Sequence, residues 1–299
     1  MNWVPWKPEI LLIGSGGAKG LIFLGALKRL FLEPNFLNKV KHWVGISIGA
    51  AISLMIVVGY KIDEIIDLCI DLNLIDDIIH INLDEAREKL GLIKNKTIEE
   101  KLKRYILLKY GFIPTLQQLY ILTGTDITMV TFNIDKMRSE YLDKDSEGEL
   151  SCVEAAMMSM AVPILMQPRK YKGNVYVDGA IGNPYPVTIF DESKNVLGIY
   201  VSSEEDLYCC DKKPSSFIYR LIQASMKIIR DNEIRHSSAN VKHIKISTSV
   251  RDTTGILIDR ESRETMINDG YASADAFLKI NSNPEKYDSS IRENEEIPF

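Results

Sequence analysis

The stretch KHWVGISIGAAISLMIVV, residues 41–58, runs from an apolar strand through a glycine-flanked serine into an apolar helix. Lys41 to Ile46 has the length and apolar content of a buried strand, and Ile48 to Val58, opening on Gly49, Ala50 and Ala51, reads as a buried helix. Between them Gly45-Ile46-Ser47-Ile48-Gly49 spells GxSxG. A nucleophile elbow needs that strand-turn-helix setting, because its serine sits on a strained turn and the residues two away must be small. An ordinary turn serine between glycines has the same letters. Trp43 to Tyr60 carries no charge and approaches the roughly 20 residues of a membrane span. Its glycines, serine and alanines divide it instead into a strand and a helix.

Working outward, Glu9 to Ile13 is a second buried strand. Leu21, Phe23, Leu24, Leu27, Leu30 and Phe31 follow at helical spacing. The order β-α-β-α implies a parallel sheet covered on both faces. The expected class is therefore α/β, three-layer α/β/α with a central, mostly parallel sheet. Beyond residue 60, Ile62 to Leu72 and Thr97 to Leu108 read as amphipathic helices, and Ile127 to Ile134 as a strand of near-alternating character. Ser151 with Glu154 spells a capping box opening a Met-rich helix to about Met160. Asn174 to Val177, Val196 to Val201 and His243 to Ser247 read as strands. Phe217 to Ile229 and Glu261 to Leu278 read as helices. Residues 281–299 form a polar, acidic tail expected at the surface. No linker or repeat interrupts the chain, so residues 1–299 are expected to form one domain.

The bulk numbers are those of a globular protein: 299 residues, 45% hydrophobic and 26% charged. A net charge of -5 argues against a general nucleic-acid binder. Cys69, Cys152, Cys209 and Cys210 show no metal-ligand spacing and read as reduced thiols of a cytoplasmic protein. The start, MNWVPWKPEI, lacks the pattern of a secretory leader. No metal and no cofactor are expected. The Ile-, Asn-, Asp- and Lys-rich usage hints at an AT-rich genome, such as that of a virus or intracellular microbe.

Gly14-Ser15-Gly16-Gly17-Ala18-Lys19-Gly20 lies directly after the first strand and opens a helix. Glycines allow a sharp turn, and free amides at a helix start attract negative charge. The P-loop pattern fails, because Lys19 precedes Gly20 and Leu21 follows it. The dinucleotide pattern is met at Gly14 and Gly16 but has Lys19 at its third glycine position. A tetrahedral oxyanion is the remaining candidate ligand. Further along, Tyr176-Val177-Asp178-Gly179-Ala180 ends a short strand in an acid followed by small residues. Alone, it reads as an Asp-Gly turn.

Together these segments resemble the patatin-like phospholipase family. The order is glycine loop, GxSxG, then Asp-Gly-Ala. Ala155-Ala156-Met157-Met158-Ser159-Met160-Ala161-Val162-Pro163 looks like that family's small-residue helix ending in Ser-x-Ala-x-Pro. Pro168 and Asn183-Pro184-x-Pro186 also fit. The resemblance covers roughly residues 8 to 190. One departure is Ser15, where the family usually has the first of three glycines, so Gly16, Gly17 and Ala18 are the expected oxyanion amides. Gly14, Lys19, Gly20, Gly45, Gly49, Gly179 and Ala180 support the motifs.

The resemblance implies a dyad: Ser47 as nucleophile and Asp178 as general base. The implied activity is lipid acyl hydrolysis of a phospholipase A1/A2-like kind. His42, His80, His236 and His243 are the alternatives to the acid; only His236 and His243 follow it in chain order, as an α/β-hydrolase would require. Arg169, Lys170 and Lys172 with Tyr171, joined by Trp3, Trp6 and Trp43, would suit a phospholipid surface and peripheral membrane contact. A solvated basic loop explains the same residues. Three competing readings remain. One is an NAD(P)-dependent dehydrogenase using Tyr105 and Lys109. The others are a non-catalytic lipid-binding protein and an acyltransferase with the same dyad.

Overall fold

A computed structural model describes residues 6–71, 91–93, 95–190, 192–202, 214–248, 250 and 259–282. In chain order it contains β1 (Ile10–Ile13), α1 (Leu21–Leu32), β2 (His42–Ile46), α2 (Ile48–Val58) and α3 (Ile62–Asp71). Next come β3 (Gly91–Ile93), α4 (Asn95–Tyr110), α5 (Leu116–Thr123), β4 (Asp126–Asn133) and β5 (Arg138–Leu142). Then follow α6 (Cys152–Ser159), β6 (Ile164–Met166), β7 (Arg169–Tyr171) and β8 (Asn174–Asp178). The described chain ends with β9 (Val196–Val201), α7 (Pro214–Arg235), β10 (Val241–Ile246) and α8 (Arg260–Ser282). His80, Trp3, Cys209, Cys210 and residues 283–299 lie outside the described residues.

The main sheet pairs in the order β10-β9-β1-β2-β4-β8-β7, with β5 also on β4, while β3 and β6 pair separately. Strands β10, β9, β1, β2 and β4 are mutually parallel. β5 and β8 run antiparallel to β4, and β7 antiparallel to β8. Side chains alternate across this sheet with period two. Leu11, Ile13, Trp43 and Met129 pack into the larger core with α1, α2, α3, α4, α6 and α8. Ile10, Leu12, Val44, Ile46 and Val130 face the other way, where Tyr185, Val187 and Met226 of α7 cover them. The result is a helix layer, a mixed sheet with parallel strands at its centre, and a second layer: the α/β/α arrangement.

Several local expectations are corrected. β4 is not alternating in burial; all its residues except Asp126 and Phe132 are buried, because both faces are covered. Ser151 makes no side-chain cap to α6. The Glu154 carboxylate is held by Arg169 instead of reaching back to the helix start. A full capping box does form at Thr115 and Gln118, opening α5. The stretch 43–60 divides into β2 and α2 as expected, and among the described residues no helix is long and apolar enough to cross a membrane.

The pairing register explains how the chain brings two distant segments together. Met129 and Val130 pair with β2 on one flank of β4 and with β5 on the other. Thr131 and Asn133 pair with β5 and with β8. β8 therefore occupies the flank that β2 has just left. Ile46 pairs with Val130, and Asp178 pairs with Thr131, the next rung. β2 runs up to Ser47 and β8 runs down to Asp178, so the two meet end to end.

Candidate active site

Ser47 joins β2 to α2 with φ 59° and ψ -127°, a backbone state that non-glycine residues adopt only under constraint. The constraint is visible on both sides. A Cβ on Gly45 would stand 2.4 Å from Ala50 Cα, and one on Gly49 would stand 2.4 Å from Ile13 O. Only glycine lets the helix start fold so closely over the strand ends. Ser47 is 5% exposed, at the floor of the site rather than on its rim. Its N–H donates to Ser159 Oγ at 3.0 Å.

Asp178 is 2% exposed. Its Oδ1 accepts from Ala180 N at 2.8 Å. Its Oδ2 is buried with no hydrogen-bond partner. Burial in apolar surroundings pushes the carboxyl up to about 6, against the opposing pull of the Ser47 hydroxyl and the Ala180 amide. Ser47 thus stands beside the carboxylate, whose Oδ2 is a buried acceptor without a partner. The turn that follows is tight: a Cβ on Gly179 would meet Val130 O at 2.2 Å.

The glycine loop lies alongside. Gly14 N–H donates to Ile199 O at 2.9 Å and Ser15 N–H to Pro184 O at 3.2 Å, fixing its start. Ser15 is not among the positive-φ residues, which explains why a side chain is tolerated there. Gly17 has φ 53° and is exposed. Residues Gly17–Gly20 form a short 3-10 turn, including Lys19 N–H to Gly16 O at 3.0 Å. The N–H groups of Gly16 and Gly17 donate to no acceptor among the described residues. The loop rests on the elbow, since Cβ atoms on Gly16 and Gly20 would contact Ile48.

The histidines lie elsewhere. His42 is at the start of β2, bonded to Thr128 Oγ1 at 2.8 Å, at the opposite end of the strand from Ser47. His243 sits on β10, three strands from β2. It bridges Tyr185 Oη at 2.9 Å and Ser237 Oγ at 3.0 Å. Burial holds it down at about 4. His236 hydrogen-bonds Asn232 O just beyond α7, before β10 begins. Tyr105 and Lys109 are also remote: Tyr60 Oη donates to Tyr105 O, and Lys109 Nζ to Gly59 O, at the far end of α2.

Among the described residues, the tryptophans do not join the basic loop. Arg169 is ion-paired with Glu99 and Glu154, and Lys172 with Glu147. Trp43 is buried near the start of β2 and stacks on Phe31, at the end of the sheet away from Ser47. Trp6 packs on Phe36 ahead of β1, at that same end. Sequence reasoning also missed residues that build the site. Asn183 Nδ2 donates to Glu233 at 2.8 Å, which anchors the turn after Asp178 to α7. Ser159 and Ala161 show in the sequence only as part of the small-residue motif.

Comparison with known proteins agrees with this fold. A family model described as patatin-like phospholipase matches residues 11–191. A probable lipid hydrolase of Invertebrate iridescent virus 6 is 29% identical over 187 residues, covering 60% of this chain and 62% of that protein. An uncharacterised protein of Acanthamoeba polyphaga mimivirus is 29% identical over 204 residues, covering 66% of each. The matched part spans less than two thirds of either viral relative. Among solved structures, VipD from Legionella pneumophila superposes with a TM-score of 0.61 at 17% identity, over 93% of this chain and 68% of VipD. The type III effector ExoU superposes with a TM-score of 0.54 at 15% identity, over 93% of this chain and 54% of ExoU.

Proposed function

The chain belongs to the patatin-like phospholipase family, and on that premise we propose that it is a lipid acyl hydrolase working through Ser47 and Asp178. The observation that carries the reading is a serine on a strained elbow beside a buried carboxylate oxygen with no other partner. The substrate class is a fatty-acyl ester of a lipid, and a phospholipid fits the family. A buried Ser47 requires that one acyl chain leave its aggregate and enter the site, so the protein works in peripheral contact with a lipid surface.

Asp178 Oδ2 takes the Ser47 proton as Oγ attacks the acyl carbonyl carbon. The carbonyl oxygen becomes an oxyanion held by the Gly16 and Gly17 amides, with Ala18 next in line. Collapse breaks the ester bond, and Asp178 returns the proton to the departing alcohol oxygen. Water then attacks the acyl-serine, gives its proton to Asp178, and the fatty acid leaves as Ser47 is reprotonated. An aspartate raised to about 6 is a better base at neutral pH than one at its usual value. No histidine among the described residues is placed to share the task.

Labelling with a fluorophosphonate probe followed by mass mapping tests the proposal. Wild-type protein should carry the label on Ser47, and Ser47→Ala should carry none while keeping its fold. Label absent from Ser47 in folded wild type would overturn the reading. Position-labelled phospholipids then report which ester is cut.

A further inference from the structure

We infer that the segment Ser159-Met160-Ala161 is a positioning element that sets the separation of Ser47 and Asp178. The inference rests on the reading of those two residues as nucleophile and base. Ser159 is fully buried. Its Oγ donates to Val130 O at 2.6 Å and accepts the Ser47 N–H at 3.0 Å. A hydroxyl has one proton, and Val130 takes it, so a lone pair is left facing Ser47 N–H. Two residues on, Ala161 O accepts the Asp178 N–H at 2.9 Å. The first residue of the segment thus holds the backbone of the nucleophile, and the third holds the backbone of the acid.

The segment has little slack. Met160 N–H closes the last turn of α6 on Ala156 O at 3.0 Å, and Val162 N–H turns back to Met160 O at 2.7 Å. Thr131 Oγ1 lies between Met158 O at 3.3 Å and Val177 O at 2.9 Å, joining the end of α6 to the end of β8. A second consequence concerns the oxyanion. Because Ser159 occupies the Ser47 N–H, that amide cannot serve the oxyanion, which leaves the task to the glycine loop. Alanine at position 159 would leave the Ser47 N–H buried without an acceptor, on a residue already strained.

The test uses the full chain as wild type, Ser159→Ala, Ser159→Cys and Ser237→Ala. Ser237 supplies a hydroxyl bonded to Ile234 O and His243, remote from the elbow, so its loss is a control for stability. Fluorophosphonate labelling rates and steady-state hydrolysis of a soluble p-nitrophenyl ester are measured where circular dichroism shows each variant folded. Ser159→Ala should lose roughly 10- to 100-fold in labelling rate and kcat, the scale expected for a misplacement of about 1 Å, with KM within about threefold. Ser159→Cys, near-isosteric with a weak acceptor, should fall between, and supplies the same reading if the alanine variant does not fold. Ser237→Ala should keep wild-type kcat. Wild-type kcat in a folded Ser159 variant overturns the inference, as does an equal loss in Ser237→Ala. If wild type itself neither labels nor hydrolyses, the reading of Ser47 and Asp178 fails, which is a different result.

Discussion

Arg169 grips Glu154 at both carboxylate oxygens, Nε to Oε1 at 2.8 Å and Nη2 to Oε2, and turns Nη1 on Glu99 at 2.9 Å. One side chain thereby joins α4, α6 and β7. The pairing raises the guanidinium further and, together with Lys103, lowers Glu99 despite its partial burial. Removing the cation would leave two half-buried carboxylates facing each other. Arg169→Ala is therefore expected to cost about 2 kcal/mol, below the 3–5 kcal/mol of a fully buried pair because water reaches all three groups. The midpoint of urea unfolding reads this directly. An unchanged midpoint would mean the triad contributes nothing.

The same triad changes how contact with a lipid surface should be tested. Reversing the charges of Arg169, Lys170 and Lys172 together would break ion pairs to Glu99, Glu154 and Glu147. Loss of vesicle binding would then reflect damage to the fold. Lys170 is exposed on β7. Lys170→Glu alone should leave the melting temperature within about 2 °C, since exposed substitutions away from special features are usually small. If Lys170 contacts an anionic surface, co-sedimentation with anionic vesicles falls while hydrolysis of a soluble ester holds. Equal co-sedimentation by the variant removes Lys170 from that surface.

Gly49, two residues after Ser47, makes a sharper prediction than any surface change. A Cβ on Gly49 would lie 2.4 Å from Ile13 O and 2.8 Å from Gly14 O, both backbone atoms of the neighbouring strand and loop. Neither can move without displacing β1 or the glycine loop. Gly49→Ala should destabilise by about 2–3 kcal/mol, the upper part of the overpacking range, and abolish labelling of Ser47. Gly17→Ala differs, because nothing lies within 4 Å and only its φ of 53° resists. That change should cost about 1 kcal/mol. Equal losses in the two variants would mean that close packing at the elbow is not the reason for Gly49.

The elbow and the acid were legible in the sequence because their signals are local. The Cβ that Gly45 lacks would meet Gly49 and Ala50 within five residues, although Gly49 is held by Ile13 and Gly14 of a distant segment, and Asp178 is followed at once by the Gly179 and Ala180 that its turn needs. What was not legible depends on partners far along the chain. Ser159 acts on Ser47 across 112 residues, and nothing in its neighbours announces which amide it will meet. Glu154 was read as closing a cap on Ser151 three residues away, but Arg169, 15 residues away, is the stronger partner. A guanidinium that binds a carboxylate at two points outcompetes a single backbone amide. β4 lost its apparent alternation for a similar reason: helices α2 and α6 cover one face, and residues after Asp178 cover the other.

Activity should follow the ionisation of Asp178. Proton abstraction from Ser47 needs the carboxylate, and burial holds this group at about 6. The value of kcat/KM for a soluble ester should therefore rise tenfold per pH unit below about 6 and level off above it, as for a single essential base in the free enzyme. A base such as His243, which burial holds down at about 4, would place the limb lower. An acid limb near 4 would count against Asp178 as the titrating base.

Stability should run opposite to activity across the same window. A carboxyl whose pKa is raised on folding binds its proton more tightly folded than unfolded, so folding takes up protons between the two values. For Asp178 the window runs from the ordinary carboxyl value of 3.8 to about 6. Stability is highest below this window, falls as pH rises through it, and stays reduced above about 6, where the buried charge is fully present. A rise from 3.8 to about 6 corresponds to about 3 kcal/mol. Asp178→Asn keeps the size of the side chain and an oxygen for the Ala180 amide, and it removes the charge. The variant should be inactive, and more stable than wild type by up to about 3 kcal/mol at pH 8. At pH 4, where wild type is itself neutral at this position, the difference should shrink toward zero. Urea titrations of both proteins at the two pH values give the comparison. A stabilisation that does not change with pH would show that the Asn variant gains from packing and not from the lost charge.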